Sequence, residues 1–133
     1  MPESIPVSQT DLISFCDAKD ILCQAPQRDS GDLIRTLVYR VAGNHGIADP
    51  QAIAEAVIER EQSTSTVMPN GVAVPHARLA GIERPYVAIA TSREGFLFDG
   101  RTVYLALLVL IPTDKPALYL QTLRSLATVL RKD

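Results

Sequence analysis

The feature that most constrains this chain is an unbroken apolar run, Val103 to Ile111, nine residues without a charged or amide side chain. A strand with one wet face alternates apolar and polar residues; a strand that does not alternate has to be covered on both faces. The run therefore belongs inside a sheet with further layers packed on it. It is also only about half the length needed to cross a bilayer, so no direct membrane insertion is expected.

The rest of the chain supplies candidates for those layers. Leu33, Ile34, Leu37, Val38 and Val41 recur with helical spacing and predict a helix from about Gly31 to Ala42, closed by Gly43-Asn44. Asp49-Pro50 pairs a cap residue with a proline at the first helical position and opens a second helix to about Gln62, with Ile53, Ala56 and Val57 facing inward. A last helix starts near Pro116, with Leu120, Leu123, Leu126, Ala127 and Leu130 as its apolar stripe. Ile21-Leu22-Cys23, Val72-Ala73-Val74 and Tyr86–Thr91 read as strands, and Asp99-Gly100 suits the turn into the apolar run. Strands and helices interleave, so the expectation is an α/β fold: a three-layer single domain over 1–133, with a mixed β-sheet and helices on both faces. Residues 1–14 are expected to be a loose lead-in.

Charge and cysteine usage narrow the function classes. A net charge of −2 without any Lys/Arg run gives no general attraction for nucleic acid or an anionic membrane. Two cysteines, Cys16 and Cys23, and two histidines make no familiar zinc motif, so the cysteines are expected as small buried hydrophobes in a reducing compartment. The N-terminus lacks the basic and apolar regions of a secretory signal, and a cytoplasmic location is expected by default. Nothing calls for a metal or a cofactor.

Chemistry concentrates between residues 60 and 78. Ser63-Thr64-Ser65-Thr66-Val67-Met68 leads through Pro69-Asn70-Gly71 into Val72-Ala73-Val74-Pro75-His76-Ala77-Arg78. A short strand ends at a proline, which has no backbone donor, and presents the His76 imidazole at a sheet edge. Neighbouring hydroxyls and the guanidinium groups of Arg60 and Arg78 are suited to phosphate oxygens. Each residue also has a plainer reading. A histidine after a strand is commonly a hydrogen-bonded structural residue, Arg78 a solvated charge, and a Ser/Thr cluster a loop bonding its own backbone. His45 reads as a surface-loop histidine without a role.

The string Arg60-Glu61, then a Ser/Thr loop, then Asn70-Gly71-Val72-Ala73-Val74-Pro75-His76-Ala77-Arg78 resembles the signature of enzyme IIA domains of the mannitol/fructose class, which includes the nitrogen-related regulatory proteins of the phosphotransferase system. Phe98-Asp99-Gly100, the apolar strand ending at Pro112 and the Leu-rich last helix follow in the same order, so the likeness covers about residues 15–131. The resemblance implies that His76 accepts a phosphoryl group from an HPr-like phosphocarrier protein. It further implies that His76 either passes the group to a IIB domain or uses it as a regulatory signal, with Arg60 as the arginine near the phosphate. The resemblance thus implies a phosphotransferase component, an enzyme only in the sense that a phosphohistidine turns over. The alternative is a non-transferring regulatory module on the same fold, acting by protein binding alone.

Three departures from the family pattern stand out. The loop reads Ser65-Thr66-Val67-Met68-Pro69, where the family often has Ser-Thr-Gly-Ile-Gly. Tyr119 occupies the position of a family histidine close to the phosphoacceptor. The chain also stops at Lys132-Asp133, where the family domain usually continues into one more helix, so that helix is expected to be missing. The intact His76 and Arg60 favour the carrier; the altered loop and Tyr119 favour the regulatory module. Tyr119, Thr66 and Arg78 are the weaker binding candidates, with the Tyr119 hydroxyl expected within hydrogen-bond or one-water reach of His76. Val67 or Met68 is expected to form part of an apolar collar around the ring.

Overall fold

The computed structural model describes residues 16–114. In chain order they form β1 (Cys16–Leu22), α1 (Ser30–His45), α2 (Pro50–Ser63), β2 (Val72–Ala73), β3 (His76–Leu79), β4 (Tyr86–Phe98) and β5 (Arg101–Pro112). The apolar run is β5, and it lies inside the sheet as its lack of alternation requires. β4 pairs with it antiparallel on one side, while β2 and β3 pair with it parallel, one after the other, on the opposite side. β1 joins the far edge of β4 in parallel, which completes the expected mixed sheet.

Both faces of the sheet are buried. On one face Ala73, Ala77, Ala88, Ala90, Ala106, Leu108 and Leu110 meet Leu33, Ile34, Leu37, Val38 and Val41 of α1 and Ile53, Ala54 and Val57 of α2. The alanines on the sheet let the helices approach closely, and the larger side chains come from the helices. On the other face Val72, Val74, Val87, Leu107, Val109 and Ile111 form a second buried cluster. Each such aliphatic side chain contributes roughly 1.5–3 kcal/mol when fully removed from water, so the α/β layering is dictated by β5 and its neighbours. The expected last helix, from near Pro116, lies outside the described residues.

Several local expectations change. α1 runs past Gly43-Asn44 to His45 and ends at Gly46, whose φ of 69° supplies the left-handed cap. In α2 the inward residue beside Val57 is Ala54, and Ala56 is exposed. Asp49 caps α2 without a side-chain hydrogen bond, its carbonyl receiving the Ile53 N–H at 3.2 Å. β1 begins at Cys16, five residues earlier than its apolar part, because an edge strand tolerates the polar Asp17-Ala18-Lys19-Asp20. Cys16 is half-buried and Cys23 exposed, so neither is the fully buried hydrophobe expected. β4 continues beyond Thr91 through an irregularity between Thr91 and Phe96, where Gly95 takes a φ of 94°. Asp99 and Gly100 both have positive φ (52° and 74°), as a two-residue hairpin turn with the twist of its strands demands.

Candidate functional site

His76 opens β3 at the outer edge of the sheet. The strand does not end at Pro75 as expected but is interrupted there and resumes, with His76 opposite Val109 and Ala77 opposite Leu110. The break follows from chemistry: Pro75 has no N–H for the ladder, and its carbonyl accepts the Val109 N–H at 3.0 Å, which restarts the pairing. The backbone groups of Val74, just before the proline, are used elsewhere. Its N–H donates to Thr66 Oγ1 at 2.9 Å, and its carbonyl faces His76 Nδ1 at 2.8 Å.

That last contact fixes the ring's tautomer. A carbonyl oxygen only accepts, so Nδ1 carries the proton and Nε2 of the neutral ring keeps its lone pair. Arg60 Nε donates to that same Nε2 at 3.2 Å, a geometry that only an unprotonated nitrogen accepts. The two partners come from opposite directions. Strand alternation puts His76 on the face away from α1 and α2, yet Arg60 in the last turn of α2 reaches it, so the two meet at the sheet's edge.

Electrostatics keep the ring neutral. Burial is the largest cause holding the His76 pKa below its usual 6.5, and the Arg60 guanidinium acts in the same direction. The Val74 carbonyl and the Glu61 carboxylate pull the other way and are outweighed. The result is a half-buried imidazole whose Nε2 lone pair is available near neutral pH and has a fixed positive charge beside it. Such a nitrogen can attack an electrophilic phosphorus, and the guanidinium can meet the oxygens that arrive with it.

The other candidates are distributed around this pair. Thr66 lies one hydrogen bond from the strand break, its hydroxyl donating to Glu61 Oε1 at 2.7 Å while accepting from Val74. Arg78 is exposed, two residues along β3 on the same side as His76 and opposite Ile111 in register. Val67 packs toward the helix-covered face and Met68 toward the opposite cluster. The loop between them and β2 closes through Met68 N–H to the Val72 carbonyl at 2.7 Å and turns at Gly71, with a φ of 81°. Tyr119 lies outside the described residues.

Two residues near the chemistry or the core have a place in the structure that the sequence reading does not give them. Glu61 is 8% exposed and accepts both the N–H and the hydroxyl of Thr66. The signal is present: Ile53, Val57 and Glu61 follow at intervals of four, which puts a carboxylate on the buried stripe of α2. His45 is not a loop residue. It ends α1 with its Nε2 2.7 Å from Oδ2 of Asp20, which is 1% exposed and also accepts from Asn44 at 2.7 Å. Among the described residues no cluster of His, Cys, Asp and Glu forms a metal site, and no helix is long and apolar enough to cross a membrane.

Comparison with known proteins bears on the family and the fold. Residues 14–133 match the family described as the phosphoenolpyruvate-dependent sugar phosphotransferase system, EIIA 2. A fructose-specific EIIA component of the phosphotransferase system from Haloferax volcanii is 27% identical over 121 residues, covering 89% of this chain and 79% of that protein. A fructose-specific EIIABC component from Bacillus subtilis is 31% identical over 88 residues, 64% of this chain, and the chain spans only 14% of that protein's length. Among solved structures, the nitrogen regulatory protein IIA-Ntr from Neisseria meningitidis superposes with a TM-score of 0.77 at 24% identity, covering 86% of this chain and 80% of that one. The mannitol enzyme IIA of Escherichia coli, solved in complex with phosphorylated mannitol enzyme IIB, gives a TM-score of 0.67 at 20% identity over 86% of this chain and 81% of that one. At these identities the structural likeness concerns the fold.

Proposed function

The chain belongs to the EIIA 2 family of the phosphoenolpyruvate-dependent sugar phosphotransferase system, and on that premise we propose that it is a phosphocarrier whose His76 Nε2 takes up and releases a phosphoryl group. The observation that carries this reading is the double engagement of the ring: the Val74 carbonyl holds Nδ1–H, and Arg60 faces the Nε2 lone pair. An N–P bond forms at Nε2 as the donor's bond to phosphorus breaks. The Nδ1 proton stays in place, and the positive charge the ring acquires is stabilised by the carbonyl beside it. Arg60 turns from the lone pair to the phosphoryl oxygens, where charge is spread in the transition state.

The donor in this reading is an HPr-like phosphocarrier protein. The acceptor is a IIB domain, as in the complex formed by the structurally similar mannitol enzyme IIA. Both are macromolecules, which suits a nucleophile at a sheet edge rather than in a deep cavity. A second reading uses the same site as a regulatory switch. It is favoured by the loop carrying Pro69 and by the likeness to a nitrogen regulatory protein. There the new dianion beside Arg60 would alter which proteins bind.

The test is incubation with phosphoenolpyruvate, enzyme I and HPr. The expected product is one acid-labile, base-stable phosphoryl group on His76, absent from a folded His76→Ala protein. Onward transfer to a purified IIB domain separates the carrier from the switch. Label retained by His76→Ala would place the acceptor elsewhere and end the proposal.

A further inference from the structure

We propose that Glu61 is a positioning residue for the phosphoacceptor, acting through Thr66 and Val74 to hold the carbonyl that orients the His76 ring. The inference rests on the phosphoacceptor reading above and extends it to residues that do not touch the reacting atoms.

The linkage is a directed chain of hydrogen bonds. An ionised carboxylate only accepts, so Glu61 takes the Thr66 N–H at Oε2 (2.9 Å) and the Thr66 hydroxyl proton at Oε1 (2.7 Å). With its single proton committed, the hydroxyl oxygen presents lone pairs and accepts the Val74 N–H at 2.9 Å. Each bond sets the polarity of the next. Burial sharpens the requirement, since a carboxylate on the core stripe of a helix is tolerated only when its oxygens are paired.

Val74 is the residue that matters to the ring, because its carbonyl receives Nδ1–H. That carbonyl is bracketed on both sides. The bond from Val74 N–H to Thr66 limits rotation before it. After it, Pro75 keeps Val74 in the extended region, and the Pro75 carbonyl is tied to Val109 N–H at 3.0 Å. Two consecutive residues of one helix thus serve the two nitrogens of one imidazole. Arg60 meets Nε2 directly, and Glu61 reaches the Nδ1 side through two intermediates.

The test compares Thr66→Val, which keeps the shape and loses the hydroxyl, with Thr66→Ser, which keeps the hydroxyl, and with Glu61→Gln, in which an amide donor replaces one acceptor. All are made in the full chain. The imidazole nitrogens of His76 are followed by 15N NMR without any phosphoryl donor, and phosphorylation rates and thermal melts are measured separately. The wild type and Thr66→Ser are expected to show one tautomer, protonated at Nδ1, and rates within about twofold of each other. Thr66→Val and Glu61→Gln are expected to show mixed tautomers and phosphorylation slowed by about tenfold at temperatures where they remain folded, as loss of near-attack geometry predicts. Should Thr66→Val not fold, Glu61→Gln carries the same readouts. An unchanged tautomer and rate in folded variants would reduce the chain to loop support and overturn the proposal. Failure of the wild type to accept phosphate would instead end the phosphoacceptor reading, with the ring spectra still deciding whether Glu61 orients His76.

Discussion

Arg60 Nε and His76 Nε2 lie 3.2 Å apart, sixteen residues from each other in sequence and on different layers of the fold. In the proposed reaction the guanidinium stands where the incoming phosphoryl group would sit, so it would have to move from the lone pair as that group arrives. Arg60→Lys keeps the charge but loses the planar fork. The expected result is phosphorylation slowed roughly tenfold to a hundredfold, the equivalent of a charge-assisted hydrogen bond of about 1.5–3 kcal/mol, with the melting curve unchanged. Equal rates in Arg60→Lys, Arg60→Ala and the wild type would leave the residue a role only in the last turn of α2.

The pH profile follows from the lowered pKa of His76. Burial, assisted by Arg60, holds the folded value below 6.5, so the neutral ring is the majority form at the pH where a free histidine is half protonated. Phosphoacceptance is expected to fall with acid around a midpoint that lies below 6.5 and not at it. Because the folded pKa is the depressed one, the associated stability is present above the unfolded value and is lost as pH falls through the folded value. A single-turnover pH–rate profile with its inflection at or above 6.5 would contradict this.

Asp20 and His45 give a prediction away from the chemistry. Asp20 is buried on β1 and holds the end of α1 through Asn44 and His45. Asp20→Ala strands both partners and is expected to lower stability by about 1–3 kcal/mol, seen in urea unfolding, while the rate of His76 phosphorylation stays at the wild-type level.

Two glycines should respond in opposite directions to the same substitution. Gly43 lies within α1, and a methyl group added there would point into open space, so Gly43→Ala is expected to stabilise by up to about 1 kcal/mol. Gly95 has a φ of 94°, and a Cβ there would collide with the Thr102 methyl. Gly95→Ala is expected to destabilise by about 1–3 kcal/mol. Thermal melts of the two variants check both signs.

What can be read in the sequence divides along physical lines. β5 and the buried stripe of α1 are legible because apolar patterning over many residues leaves few arrangements. The position of His76 at a sheet edge is legible from Pro75, whose missing donor keeps it out of the middle of a central strand. The remainder depends on contacts between distant segments. β1 is mostly polar because it is an edge, so its first residues carry no strand pattern. The strand expected over Tyr86–Thr91 stops before the polar Ser92-Arg93-Glu94, yet pairing with β5 carries β4 on to Phe98. Thr66 reads as one of several hydroxyls in a loop, and only the fold shows that its hydroxyl joins α2 to the strand break. His45 reads as a loop residue because Gly43-Asn44 is a reasonable helix stop, and its partner Asp20 lies 25 positions away.

The interruption at Pro75 also bears on how these molecules behave toward one another. A long outer strand with a regular row of unpaired N–H and C=O groups is a template on which other chains can polymerise as β-structure. Here, among the described residues, the outer edge beside β5 consists of a two-residue piece and a four-residue piece, β2 and β3. The proline between them offers no donor, and the N–H and carbonyl of Val74 are turned to Thr66 and His76. The cut in the strand that frees a carbonyl for the imidazole thereby leaves, along this side of the sheet, too short a template for edge-to-edge assembly.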